Sequence, residues 1–172
     1  MNQIIENLLT RRSVRAFTEE EIKKEDLEII ARCGAYAPSA LNGQSRQFTV
    51  VTDRAVITEL SDAIAIACNR EGYDMYKPVA IIIPSDERDN RFFTEDLSCA
   101  LENMFLAAHS LGIGSVWLNQ LRVTCDSPEV RSILSRLGIP KSHAVCGFCA
   151  LGYAKNKDIP IPKKTNVIRF FD

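Results

Sequence analysis

Two histidines in 172 residues leave little material for a metal site. Cys146 and Cys149 have the spacing of a redox or zinc pair, yet tetrahedral zinc would need a second pair or nearby imidazoles, and only His109 and His143 exist. An excess of one charge is equally lacking. Lys plus Arg number 21 against 22 Asp plus Glu, so the net charge is -1 and neither nucleic acid nor a membrane surface is indicated as a partner. No apolar run approaches the ~20 residues of a spanning helix. Met1 leads into Asn2, Gln3 and Glu6 rather than a basic-then-apolar leader, so the cytoplasm is the expected compartment. Gly112-Ile113-Gly114 lacks the third glycine of a dinucleotide fingerprint and follows a helical pattern, and no phosphate-loop lysine motif occurs. Nor does a recognisable catalytic triad. Without repeats, low-complexity stretches or a composition break, residues 1–172 are expected to form a single domain.

What the chain does have is a concentration of guanidinium near its start, Arg11-Arg12-Ser13-Val14-Arg15-Ala16-Phe17. Guanidiniums are permanently charged planar forks suited to phosphate oxygens, and Ser13 adds a short neutral donor. In an extended segment Arg11, Ser13 and Arg15 point to one side and Arg12 to the other. A local cluster in a nearly neutral chain favours a small anionic ligand over a polyanion. A second polar cluster follows at Ala37-Pro38-Ser39-Ala40-Leu41-Asn42-Gly43-Gln44, after a helical pattern of Leu27, Ile30, Ala31 and Gly34. Pro38 disfavours helix at Ala37, and Ser39, Asn42 and Gln44 offer donors and acceptors on a loop, fit for a heteroaromatic edge or a ribityl chain.

The remaining pattern alternates helices and strands. Asn2–Leu9 reads as a short amphipathic helix, and a second helix runs from about Glu25 to Tyr36. Gln47–Thr52 reads as a strand, and Asp53 can cap a helix whose stripe holds Val56, Leu60, Ile64 and Ala67. Val79–Ile83 is a strand buried on both faces. Arg91–Leu111 is the longest helical pattern, with a possible cap at Thr94, Glu95 and Asp96. It is apolar nearly all round, which places it between layers or at a subunit interface. A strand at Ser115–Leu118, a helix opened by Ser127-Pro128 and a strand over about His143–Gly152 complete it. In that last strand Cys146 and Cys149 point to opposite faces, which suits core positions rather than a disulfide or a metal pair. With no secretory signal, all six cysteines are expected to be reduced. Strands interspersed with helices give an α/β or α+β layered domain.

The arginine segment and the Pro-Ser-Ala-x-Asn-x-Gln loop, in that order, resemble the FMN-dependent nitroreductase family. Two further segments match it: Leu111-Gly112-Ile113-Gly114-Ser115-Val116-Trp117-Leu118-Asn119-Gln120, and Leu151-Gly152-Tyr153-Ala154 followed by Pro160-Ile161-Pro162-Lys163-Lys164. The resemblance implies an α+β fold with a mixed, mainly antiparallel sheet flanked by helices, in an intertwined homodimer with C-terminal strand exchange. Asn166–Phe171 has the strand character for that exchange, with the Pro/Lys-rich arm before it.

For the cofactor, the resemblance implies that Arg11, Arg12, Ser13 and Arg15 meet the phosphate and pyrimidine side of FMN. Pro38, Ser39, Ala40, Asn42 and Gln44 would come from the other subunit, and Trp117, Leu118, Asn119 and Gln120 would approach the ring near N5. Lys163 takes the family's basic tail position, keeping charge but losing the bidentate fork. FMN would carry hydride from NADH or NADPH to nitroaromatic, quinone or similar electron-poor acceptors in ping-pong fashion, so no protein nucleophile, acid or base is required. An FMN store or sensor, or a dehalogenase or flavin-fragmenting member of the fold, would use the same cofactor residues. A thiol oxidoreductase using Cys146 and Cys149 would use none of them.

Overall fold

The expected elements form, with instructive shifts. The computed structural model describes residues 2–156, 158, 160–161 and 163–171. In chain order these are α1 (Gln3–Thr10), α2 (Lys24–Ala35), a 3₁₀ turn (Ala40–Asn42), β1 (Gln47–Val51), α3 (Arg54–Ala67), β2 (Ala80–Glu87), α4 (Phe93–Ser110), β3 (Gly114–Leu118), α5 (Leu121–Thr124), α6 (Pro128–Arg136), β4 (His143–Ala144) and β5 (Phe148–Gly152).

The sheet runs β1-β2-β5-β3, with β4 pairing β2 beyond the end of β5. Every strand pair is antiparallel, and the one parallel link is the bridge between Ser13 and Ser115. The fold is therefore α+β with a mixed, mainly antiparallel sheet between helices. Alternation along β2 divides the core: Ile81 and Ile83 face one apolar layer with Leu60, Ile64 and Leu134, while Ala80 and Ile82 face another with Ile30, Leu101 and Met104. Burial on both faces follows the continuous apolar run. β2 runs unbroken past Pro84, which pairs with Phe48 of β1, while on its other edge the partners pass from β5, ending at Ile82, to β4, starting at Asp86.

Asn2 caps α1 by accepting from Ile5 N at 2.9 Å, and Asp53 caps α3 by accepting from Ala55 and Val56 N. The α3 stripe is rotated from expectation: Leu60 and Ile64 are buried, but Ile57 and Ala63 join them and Ala67 is exposed. No side chain of Thr94, Glu95 or Asp96 caps α4, which begins after Phe92. One side of α4 is buried within the chain itself, Leu101 and Met104 completely, while Glu95, Cys99 and Glu102 on its other side are exposed. The exposed apolar stripe belongs instead to α1, an eight-residue helix with no buried residue and with Ile4, Ile5, Leu8 and Leu9 in solvent.

The last strand is broken. Val145, Cys146 and Gly147 interrupt the ladder between β4 and β5, so the alternation expected through Cys146 does not hold. Cys146 and Cys149 share one apolar layer, and both are free thiols, as are the other four. Beyond Ala154, which bridges Phe17, no strand is assigned among the described tail residues, and Phe170 and Phe171 are 87% and 91% exposed.

Candidate flavin site

Arg11 is the first residue past α1, and its extended backbone (φ -53°, ψ 141°) sends the chain along β3. Val14 N donates to Ser115 O at 2.9 Å, which fixes the alternation: Val14 turns into the core and Arg15 faces solvent. Arg11 lies against α4, 3.5 Å from Glu102 Oε1 and 5.7 Å from the centroid of the Phe105 ring. Phe105 in turn packs on Trp117, centroids 6.1 Å apart. Arg12 folds back, its Nη1 donating to the carbonyls of Leu9 and Arg11. Its Nε and Nη2 are buried and have no acceptor among the described residues. Buried guanidinium donors without acceptors are costly, and an anion would satisfy them.

Trp117 is exposed and donates from Nε1 to Asn119 Oδ1 at 3.4 Å. Below it lies Gly147, where a Cβ would sit only 2.3 Å from the indole Nε1. The strand break thus brings bare backbone against the tryptophan and leaves its other side open. Leu118 points into the opposite layer and is buried, so only its backbone faces this side. Gln120 also turns away, accepting at Oε1 from the Tyr73 hydroxyl at 2.9 Å, while burial pushes the Tyr73 hydroxyl pKa up.

The Pro38–Gln44 loop occupies a different place. Ser39 Oγ donates to Gly43 O at 2.8 Å, and Gln44 Nε2 donates to Asn42 Oδ1 at 3.0 Å. Leu41 and Asn42 adopt left-handed backbone at φ 55° and 54°. Asp96 pins the loop through Ala40 N at 2.8 Å and is linked by the Asn90 amide to Asp86. Arg46 clamps it from below, donating to the carbonyls of Ala37 and Pro38 and to that of Asp96. Asp96 and Phe105 are nine residues apart on α4, about 13 Å along its axis. One chain therefore does not bring Ser39, Ala40, Asn42 and Gln44 together with Arg11 and Trp117. Lys163 is exposed in the tail. Pro162 of the same motif lies outside the described residues.

Arg46, Asn90 and Tyr73 carry no sequence signal for the site, and Asp96 reads from the sequence only as a possible helix cap. An acid in the first turn of a helix suits the dipole, and its inward turn is seen only in the structure. Asp96→Ala should cost about 1–3 kcal/mol by leaving Ala40 N and the Asn90 amide short of an acceptor. Urea unfolding, with hydrogen exchange at Ala40, measures both effects.

The histidines are structural. Buried His143 joins Ser85 Oγ at 3.0 Å to Glu87 Oε1 at 3.3 Å, tying β4 to β2, and Ser85 is fully buried, out of reach of any substrate. His109 meets Thr10 Oγ at 2.9 Å, and burial with the adjacent Arg11 and Arg12 lowers its pKa. Among the described residues no cluster of three or more His, Cys, Asp or Glu could hold a metal, and no helix is long and apolar enough to cross a membrane.

The model of the nitroreductase family matches residues 8–80 and 73–153. This chain belongs to that family. A relative from Archaeoglobus fulgidus with the provisional name NADH dehydrogenase/NAD(P)H nitroreductase is 33% identical, covering 91% of this chain and 88% of its own. The FMN reductase [NAD(P)H] of Bacillus subtilis is 26% identical over 93% of this chain and 71% of its own. The crystal structure of a nitroreductase with bound FMN from Bacteroides fragilis superposes with a TM-score of 0.92 at 37% identity, over the whole of both chains.

In this nitroreductase-family chain the cysteine pair does not fit thiol exchange. Burial pushes the Cys146 thiol up to about 11 and that of Cys149 higher still. Both thiols stay protonated at neutral pH, whereas the thiolate is the attacking form. The double variant Cys146→Ser, Cys149→Ser should retain its bound flavin and NAD(P)H oxidation while losing about 1–3 kcal/mol of stability to the buried hydroxyls. Loss of turnover with flavin retained would reinstate a redox pair.

Proposed function

We propose that this chain is an FMN-dependent NAD(P)H oxidoreductase that reduces nitroaromatic, quinone or similar electron-poor acceptors, with NADH or NADPH as reductant. The observation that carries the reading is the run of contacts from Arg11 through Phe105 to the Gly147-backed indole of Trp117, with the orphaned Arg12 donors on the other side of the same arginine segment. These residues fit FMN: donors for a phosphate at one end, an aromatic and bare backbone at the other. Bound FMN would supply hydride transfer, with reductant and acceptor using its face in turn.

The chain's part is binding and orientation. Arg11, Arg12, Ser13 and Arg15 hold the phosphate and pyrimidine side, with Lys163 adding charge from the tail. Trp117 and Asn119 meet the ring, and Leu118 contributes through its backbone. Gln120, tethered to Tyr73, lies at the margin. Pro38, Ser39, Ala40, Asn42 and Gln44 come from the second subunit of a homodimer, which accounts for their separation from Arg11 along α4. Residues 1–172 act as one domain, in the cytoplasm.

Two unpartnered features support the dimer: the exposed stripe of α1 and the apolar tail. Among the described residues the β1 edge of the sheet is open for an exchanged tail. Ser13 and Val14 occupy the outer edge of β3, whereas β1 pairs only with β2, beside a groove of about 800 Å³ lined by Ile22, Leu27, Val50 and Val79. Strand addition there would pair the backbone of Asn166–Phe171.

Arg11→Ala and Arg15→Ala each remove a charge-assisted contact worth about 1.5–3 kcal/mol, so FMN affinity should fall roughly tenfold or more. Fluorescence titration of the apoprotein with FMN measures this. Wild-type affinity in both variants would refute the site assignment.

A further inference from the structure

The turn from β3 into α5 is bracketed by two guanidiniums that make no ion pair among the described residues. Arg122 is exposed on α5, its backbone N–H donating to Asn119 O at 3.1 Å, three residues from that asparagine. Arg70 lies on the other flank, 5.0 Å from the centroid of the Tyr73 ring, whose hydroxyl holds Gln120. Three nearby acids are engaged elsewhere, and Glu71, next to Arg70 in the chain, is in no ion pair among the described residues. Asp126 binds Arg88 and Arg131, Asp74 binds Lys77, and Glu102 binds Arg11. Arg122 thus has no acidic partner among the described residues, and its charge reaches inward: it favours the ionised form of the Cys146 thiol, next to the Gly147 that backs Trp117.

The segment carrying Arg70 is held in a defined shape. Ser61 Oγ donates to Tyr73 O at 3.2 Å, Met75 is buried, and Asn69, Met75, Tyr76 and Lys77 all adopt left-handed backbone. Non-glycine residues in that region persist only where the surroundings enforce them. The anchored loop fixes where Arg70 stands relative to Gln120.

We propose that Arg122, seconded by Arg70, recognises an anionic group on the electron acceptor, so that this protein prefers carboxylated or otherwise negatively charged aromatic acceptors over their neutral isosteres. The inference rests on the oxidoreductase reading above and names the substrate class of that same site. Solvent-exposed guanidiniums gain modestly from a single ion pair, so each contributes selectivity of a few fold rather than absolute discrimination.

The test is the oxidative half-reaction alone. Holoprotein is photoreduced without nicotinamide, mixed with 4-nitrobenzoate or neutral 4-nitrobenzamide, and followed by flavin absorbance. Wild type should favour the carboxylate. Arg122→Ala should lower the rate-constant ratio of carboxylate to amide about threefold to fivefold, and Arg70→Ala with Arg122→Ala roughly tenfold. Arg122→Lys should keep at least half of the preference, and Arg136→Ala, at the remote pair with Glu59, should leave the ratio unchanged. Equal losses with both acceptors would overturn the inference. So would a ratio unmoved by Arg122→Ala while reduction by NADPH slows, which would assign the cations to the nucleotide. Reduced wild type that neither compound reoxidises would overturn the parent reading as well, a result distinguishable from either of these.

Discussion

A chain cut after Asn156 should be monomeric and nearly flavin-free while keeping its own core. The cut lies past every backbone contact that the end of the chain makes with its own body: Thr18 N to Tyr153 O, Lys155 N to Ala16 O, and the Phe17–Ala154 bridge. Among the described residues, what it removes makes no such contact. Val167, Ile168, Phe170 and Phe171 are each at least 76% exposed, more apolar surface than a free tail keeps without a partner. If those residues complete the partner's sheet at β1, cutting them reopens an edge and uncovers the β1 groove. Lys163 leaves with them, and its charge-assisted contact is worth about 1.5–3 kcal/mol, so FMN affinity should drop roughly tenfold even before dimer loss adds to it. Sedimentation velocity and FMN titration on the truncated chain should move together, while far-ultraviolet dichroism stays close to wild type. A flavin-loaded monomer of full activity would show that the sites are not shared.

Much of the fold is legible in the sequence because its signals are local. Asp53 and Asn2 announce helix starts, Pro128 sits at a first helical position, and Val79–Ile83 can only be a strand covered on both sides. The misreadings share one cause, the inference of partners from a single element. Val145–Gly147 looks like continuous strand because its residues are apolar, but the ladder is broken there to bring Gly147 under Trp117. The apolar circumference of α4 is equally compatible with a layer interior and a subunit interface. Only the packing of α2 on one flank and the sheet on the other shows which side is buried within the chain.

The candidate site is legible to a similar depth. Residue type and order point to Arg11, Arg12 and the Pro38–Gln44 loop. The supports do not show, because they depend on contacts between distant segments: Asp96 is 56 residues from the Ala40 amide it accepts, and Tyr73 is 47 from Gln120. Alternation correctly sets Arg12 apart from Arg11. It could not say that Arg12 turns back on its own helix and leaves two donors buried without an acceptor among the described residues. Nor could spacing say that the two donor groups stand about 13 Å apart along α4, the separation for which a second subunit is proposed.

Gly147→Ala is expected to be the most damaging single methyl in the molecule. Its Cβ would lie 2.3 Å from Trp117 Nε1, 2.8 Å from Cε2 and 3.1 Å from Leu118 O, and the last of these is backbone in a strand. The indole must therefore give way. Behind it stands Phe105, buried and part of the α4 layer, so the ring can leave only toward the open side. Overpacking of this kind costs about 1–3 kcal/mol of stability, and the displaced indole would occupy the space proposed for the flavin ring. FMN affinity should then fall more than tenfold, beyond what the stability loss explains. Trp117→Leu removes the clash, so the double variant Gly147→Ala, Trp117→Leu should be more stable than Gly147→Ala alone. A thermodynamic cycle built from urea unfolding should show a coupling of about 1–2 kcal/mol between the two sites. Flavin titration separates the two consequences. Wild-type FMN affinity in Gly147→Ala, with the stability loss present, would mean that the exposed face of Trp117 is not where the cofactor lies.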